Sequence, residues 1–211
     1  FIYEDDVQKW LKMIQGNYMP ADGLKLGAER PPMPFSDVTL QSVLSHTLWF
    51  LPNVASCYAM YNLLRKKQNN FFDDYKIIVC AGTKAGVGAE ALTPVLNAMG
   101  DPLKTKTITL SCGKLTTGVT VRPWSGVFML RNLKSPETYF QTAFRVQSPW
   151  EIINDKGDKE IIKKECYVFD FALERALEQI SDYSCRLKVD DTSPEQKVAE
   201  FIAFLPVLAF D

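Results

Sequence analysis

Histidine is nearly absent from this 211-residue chain: His46 stands alone. A histidine-based triad or a mixed zinc site therefore has little to work with. The five cysteines, Cys57, Cys80, Cys112, Cys166 and Cys185, show no C-x-x-C spacing and sit mostly in apolar runs. That scatter is expected of reduced thiols in a cytoplasmic protein, and no metal site is expected. No apolar stretch approaches the roughly 20 residues a bilayer requires, so no membrane association is expected either. An excess of one charge is missing too. The net charge is -1, so nothing global attracts nucleic acid, although a local patch suffices where another domain supplies the rest.

Two phosphate-binding signatures are also lacking. The run "GTKAGVGAE" holds Gly82, Lys84, Gly86 and Gly88 but not the G-K-[ST] ending of a phosphate loop, and reads as a surface loop. No G-x-G-x-x-G follows the first apolar strand, "HTLWFL", which excludes a Rossmann dinucleotide module. An acidic D-E-x-H-like motif for magnesium is missing as well.

What is present is a globular pattern, 46% hydrophobic and 12% aromatic. "EDDVQKWLKMIQG" places Val7, Trp10, Leu11 and Ile14 on one helical face, with Gly16 as the stop. After a Pro- and Gly-rich loop, "SDVTLQSVLSH" offers Ser36 or Asp37 as a cap for a short helix carrying Val38, Leu40, Val43 and Leu44. From His46 onward, strand and helix alternate. The strands are "HTLWFL", "YKIIVCAG", "KTITLS", "SGVFML" and "CYVFDF". Between them lie the helices "VASCYAMYNLLRKK", with Val54, Cys57, Met60, Tyr61 and Leu64 on one face, "AEALTPVLNAMG" and "SPETYFQTAFRVQS". "ALERALEQISDYS" follows the last strand. This alternation predicts an α/β fold, a parallel sheet flanked by helices. "NDKGDKEIIKKE" reads as an exposed turn before the fifth strand, and "TSPEQKVAEFIAFL" as a helix capped by Ser193. Residues 1–45 are expected to be a helical lead-in or linker, 46–187 the core, and 188–211 the start of a following helical module. Both ends are expected to be cuts in a longer protein.

Two stretches carry chemistry. "LSCGKLTTGVTV" follows the third strand, and ligands of parallel sheets gather at carboxyl ends. Gly118 permits a conformation or close approach that a side chain would block, and Thr116, Thr117 and Thr120 offer hydroxyls. In "SPETYFQTAFRVQSPW", Gln141 and Arg145 are four apart on one helical face, close to a sheet tip, where a planar guanidinium can clamp a phosphate.

Together these stretches resemble motifs V and VI of superfamily-two helicases, and "HTLWFLPNVASCYAMYNLL" resembles their motif IV. The match runs from about His46 to Ser184, to the second, C-terminal RecA-like domain, and is most similar to the translocase portion of restriction-modification proteins. The resemblance implies ATP and Mg2+ held mainly by an upstream RecA-like domain missing from this sequence. It also implies DNA as a partner, with nuclease or methyltransferase domains elsewhere. Arg145 matches the motif VI arginine that reaches ATP phosphates, and Gln141 opens that motif. Gly118 and Thr120 match the motif V positions next to the nucleotide. Thr116, Thr117, Asn53 and Gly82 fall where the family touches a nucleic-acid backbone. Two positions depart from the family pattern. Ser148 replaces a second arginine, and Thr120 replaces an acidic residue.

Two other classes compete with this reading. A scaffold that kept the RecA-like shape and lost hydrolysis would fit the missing second arginine. A cysteine hydrolase using Cys112 and His46 requires them at one sheet edge, but strand directions place His46 at an amino end and Cys112 at a carboxyl end.

Overall fold

Three capped segments show how the local sequence sets the elements. In the computed structural model, Asp37 accepts a hydrogen bond from Leu40 N (2.9 Å), starting α2 (Val38–Val43). Asn53 accepts one from Ser56 N (2.9 Å), starting α3 (Val54–Leu64). Ser135 accepts one from Thr138 N (3.3 Å), with Pro136 in the favoured first turn of α5 (Pro136–Ala143). Residues 2–17, 33–83, 86, 89–115, 118–187 and 193–204 are described.

Five strands form one parallel sheet: β1 (His46–Phe50), β2 (Tyr75–Cys80), β3 (Lys106–Ser111), β4 (Gly126–Met129) and β7 (Tyr167–Asp170), in the order β2-β3-β1-β4-β7. The register pairs His46 with Thr107 and Phe50 with Ser111 on one side, and Phe50 with Met129 on the other. This is the expected α/β, RecA-like sheet. Adjacent residues of β1 point to opposite faces, so two cores form. Trp49 packs with α1 (Glu4–Ile14) and α3. Leu48 and Phe50 pack with α4 (Ala89–Met99), α5 and Ile180 of α6 (Leu173–Leu187). The connection from β1 leftward to β2 uses the first face, and the rightward connections use the second, as right-handed crossovers require.

The lead-in helix is docked, not detached. Leu11 and Ile14 are fully buried, and Trp10 meets Trp49 edge-on at 5.7 Å. Each such buried aliphatic contributes roughly 1.5–3 kcal/mol. A reciprocal amide pair, Gln8 with Asn69 (2.6 and 2.9 Å), fixes α1 against the 3-10 segment Lys67–Asp74. At the other end α7 (Pro194–Phe204) lays Phe201 against Phe140, 5.3 Å between ring centroids, and against Tyr183.

Several expectations need correction. Val38 is 80% exposed, because a six-residue helix buries only Leu40. On α3 the buried face is Cys57, Met60, Leu63 and Leu64, while Val54 faces outward beside the cap. The exposed turn at 154–165 is part of an antiparallel hairpin, β5 (Glu151–Ile153) with β6 (Lys159–Ile161), closed around Gly157. Its strands, EII and KEI, are too short and too exposed to imprint an alternation on the sequence.

Candidate functional site

The path from β3 to β4 positions the candidate site. It leaves the carboxyl end of β3 at Ser111, crosses the sheet face through buried Leu115, Val119, Val121 and Trp124, and enters β4 at its amino end. Thr116 and Thr117 lie outside the described residues. Gly118 has φ +69, and a Cβ there would meet nothing within 4 Å. It is needed for its left-handed backbone, not for a close approach. Thr120 is exposed, and Val119 is turned inward.

Arg145 is not on α5, which ends at Ala143; it sits in the 3-10 turn Phe144–Val146. The turn brings it back onto the path just described. Its Nη1 donates to Val119 O (2.6 Å) and its Nε to Gln141 O (3.0 Å). Gln141 thus meets Arg145 through its backbone, while its amide side chain is exposed. Of the five N–H groups of a guanidinium, these bonds use two, and the remaining three have no partner among the described residues. The two carbonyls orient the guanidinium, and both N–H groups of Nη2 and one of Nη1 are left unspent.

The sheet end beside Arg145 is the amino one. Lys163 Nζ donates to Val146 O (2.7 Å) and Trp124 O (2.9 Å), so the turn lies beside the residues that enter β4. Helix α5 runs back from the carboxyl end of β4, which carries Arg145 toward the amino end.

Asn53 and Gly82 do come together at the carboxyl edge. Gly82, φ +74, abuts Val54, whose Cγ1 would lie 3.3 Å from an added Cβ. Asn53 Oδ1 is committed to capping, since it also accepts from Ser56 Oγ (3.1 Å). The carboxyl edge and the arginine are therefore separate places, joined by the path from Cys112 to Val119.

Two basic residues escaped sequence reasoning. Arg131, two residues after β4, donates Nη1 to Cys112 O (2.9 Å) and lies 5.5 Å from the Phe50 ring centroid. A lone arginine after an apolar strand was the available signal. Lys163 gave none, since it sits in a charged run.

The cysteine-hydrolase geometry is not met. His46 opens β1, and Cys112 lies beyond Ser111, the partner of Phe50, at the other end of that strand. Four strand steps separate the two ends, about 13 Å. His46 is occupied by Thr107 Oγ1 and Pro102 O, both at 2.8 Å, and burial lowers its pKa despite the Pro102 contact. Trp124 is fully buried, and Trp150 meets His46 edge-on at 6.3 Å.

With the geometry in place, the comparisons narrow the context. No family model matches the chain. Over 164 residues, 77% of this chain, it is 38% identical to a protein of Mycoplasma pneumoniae named "Putative type II restriction enzyme and methyltransferase RM.MpnORF110P C-terminus". The chain is similar to part of a restriction-modification protein. The matched residues make up 22% of that relative, so the chain spans about a fifth of its length. Among the described residues, no helix is long and apolar enough to cross a membrane.

Proposed function

We propose that this chain is the second RecA-like domain of an ATP-dependent DNA translocase within a restriction-modification protein. The observation that carries the reading is the bond from Arg145 to Val119 O. It joins the two stretches that resemble motifs V and VI, 26 residues apart, through a guanidinium that keeps three N–H donors without a partner among the described residues. The similarity to a restriction enzyme and methyltransferase supports the context.

In this reading an upstream domain holds the nucleotide, and Mg2+ bound there neutralises charge on the triphosphate. This chain's contribution, in this reading, is cationic. Arg145 presents its free N–H groups to the transferring phosphoryl when the domains close, stabilising charge that develops in the transition state. Gln141 lines the same approach. Gly118 and Thr120 lie beside the arginine on the crossing path. At the carboxyl edge Asn53 and Gly82 face the DNA backbone, with the free N–H groups at the start of α3 suited to phosphate; Thr116 and Thr117 are assigned to the same contact by the motif resemblance alone. The path from Cys112 to Val119 links the two places, so movement of Arg145 is transmitted to the DNA edge.

The test is ATP hydrolysis by the intact protein, with and without double-stranded DNA, comparing wild type with Arg145→Ala. DNA-stimulated turnover that falls by about 10³-fold or more in the variant is the expected result. Turnover that ignores the substitution refutes the role of Arg145. No turnover in either protein favours a scaffold that kept only the RecA-like shape.

A further inference from the structure

Lys163 follows the β5–β6 hairpin by two residues, and its ammonium is enclosed by backbone carbonyls. Nζ donates to Val146 O (2.7 Å), Arg122 O (2.8 Å) and Trp124 O (2.9 Å). An ammonium has three protons and no acceptor, so the set is complete. Val146 and Trp124 are buried, and a buried carbonyl left without a donor is costly. Lys163 N is itself tied to Trp150 O (3.3 Å), as is Ile162 N (3.0 Å), so the hairpin base and the ammonium form one piece.

The three acceptors are not scattered. Val146 is the residue after Arg145, and Arg122 is three residues after Val119, the acceptor of Arg145 Nη1. Together the bonds close a ring: Arg145 to Val119, along the chain to Arg122 and Trp124, across Lys163 to Val146, and back to Arg145. Val146 anchors the turn in the core, but three residues do not by themselves hold the long Arg145 side chain in one direction. The ring supplies that hold from outside.

We infer that Lys163 is a positioning residue for Arg145, fixing the turn that presents the guanidinium. This rests on the proposed role of Arg145 in ATP hydrolysis. It adds the hairpin to the apparatus, since β5–β6 is tied to Val146 by this ammonium as well as by the chain from residue 147 to 150.

The experiment uses the intact protein, with wild type, Lys163→Met and Lys163→Arg. DNA-stimulated ATP turnover is measured against ATP concentration, and backbone hydrogen–deuterium exchange is followed by mass spectrometry. Loss of the ammonium should lower kcat by about ten- to a hundredfold with little change in the KM for ATP, as misplacement of a catalytic group does. Lys163→Arg should recover most of that loss. Exchange should quicken in residues 118–124 and 144–147 while β1 stays protected. Wild-type kcat in Lys163→Met overturns the inference. So does exchange that quickens equally across the sheet, which would make Lys163 a general stabiliser. Should wild type hydrolyse no ATP, the translocase reading fails by itself. The exchange pattern then still decides whether Lys163 holds the Arg145 turn.

Discussion

Arg145 Nη1 and Val119 O are 2.6 Å apart, although 26 residues separate them along the chain. A hydrogen bond from a charged donor to a carbonyl contributes about 1.5–3 kcal/mol when shielded from water. This one is part-buried, so the lower end applies. The bond gives the crossing path a fixed point and the arginine a fixed direction.

Gly118 sits next to that fixed point. Its φ of +69 and the open space around it separate backbone strain from crowding. Gly118→Ala should cost about 1–2 kcal/mol, the usual penalty for a left-handed L-residue. Gly118→Asn should cost less. Urea denaturation of the three proteins checks the order.

The tie between β7 and α6 makes a second prediction. Arg175 is paired with Asp170, whose side chain is only 5% exposed, and Ala172 N donates to Asp170 Oδ1 (3.0 Å). Burial, with the Asp170 carboxylate beside it, pushes the Tyr139 hydroxyl above its ordinary value. Asp170→Ala leaves a guanidinium uncompensated and should destabilise by about 3–5 kcal/mol. The double variant Asp170→Leu with Arg175→Met should lose less. Thermal melts of the single and double variants test the sign of that difference.

Stability should also depend on pH through Lys163. Burial pushes its ammonium down to about 8 from the model-peptide value of 10.5, with Cys166 opposing slightly. Between those values the unfolded chain binds more protons than the folded one, so stability rises with pH across that window. Lys163→Met removes the group, and the wild-type minus variant difference in unfolding free energy should increase from about pH 8 to about pH 10. A flat difference would contradict the assignment.

Docking of α1 is testable in the core. Leu11 is fully buried, in the same core as Trp49. Leu11→Ala should cost about 2–5 kcal/mol, measured by chemical denaturation. A loss under about 0.5 kcal/mol, the range of surface substitutions, would mean that the helix contributes little to this core.

Much of the fold was legible because its signals are local. Asn53 before an apolar helix, Ser135 followed by Pro136, and the runs "HTLWF" and "KTITLS" each announce an element within a few residues. The turn at Arg145 was legible only as helix, since the change from α to 3-10 geometry leaves the spacing of Gln141 and Arg145 unaltered. The β5–β6 hairpin was hidden because Ile153 and Ile161 are exposed, so burial imprints no alternation there.

By itself the sequence determined the order of elements, their caps and the alternation that demands a parallel sheet, because each depends on neighbours a few residues away. Only the tertiary structure decided which distant groups meet. Strand order β2-β3-β1-β4-β7 carries the path after β3 across the sheet to Arg145, and separates that arginine from Asn53 and Gly82. It also brings Lys163 to carbonyls 17 to 41 residues away. Such meetings follow from how strands and helices pack as whole bodies, and no spacing within one segment records them.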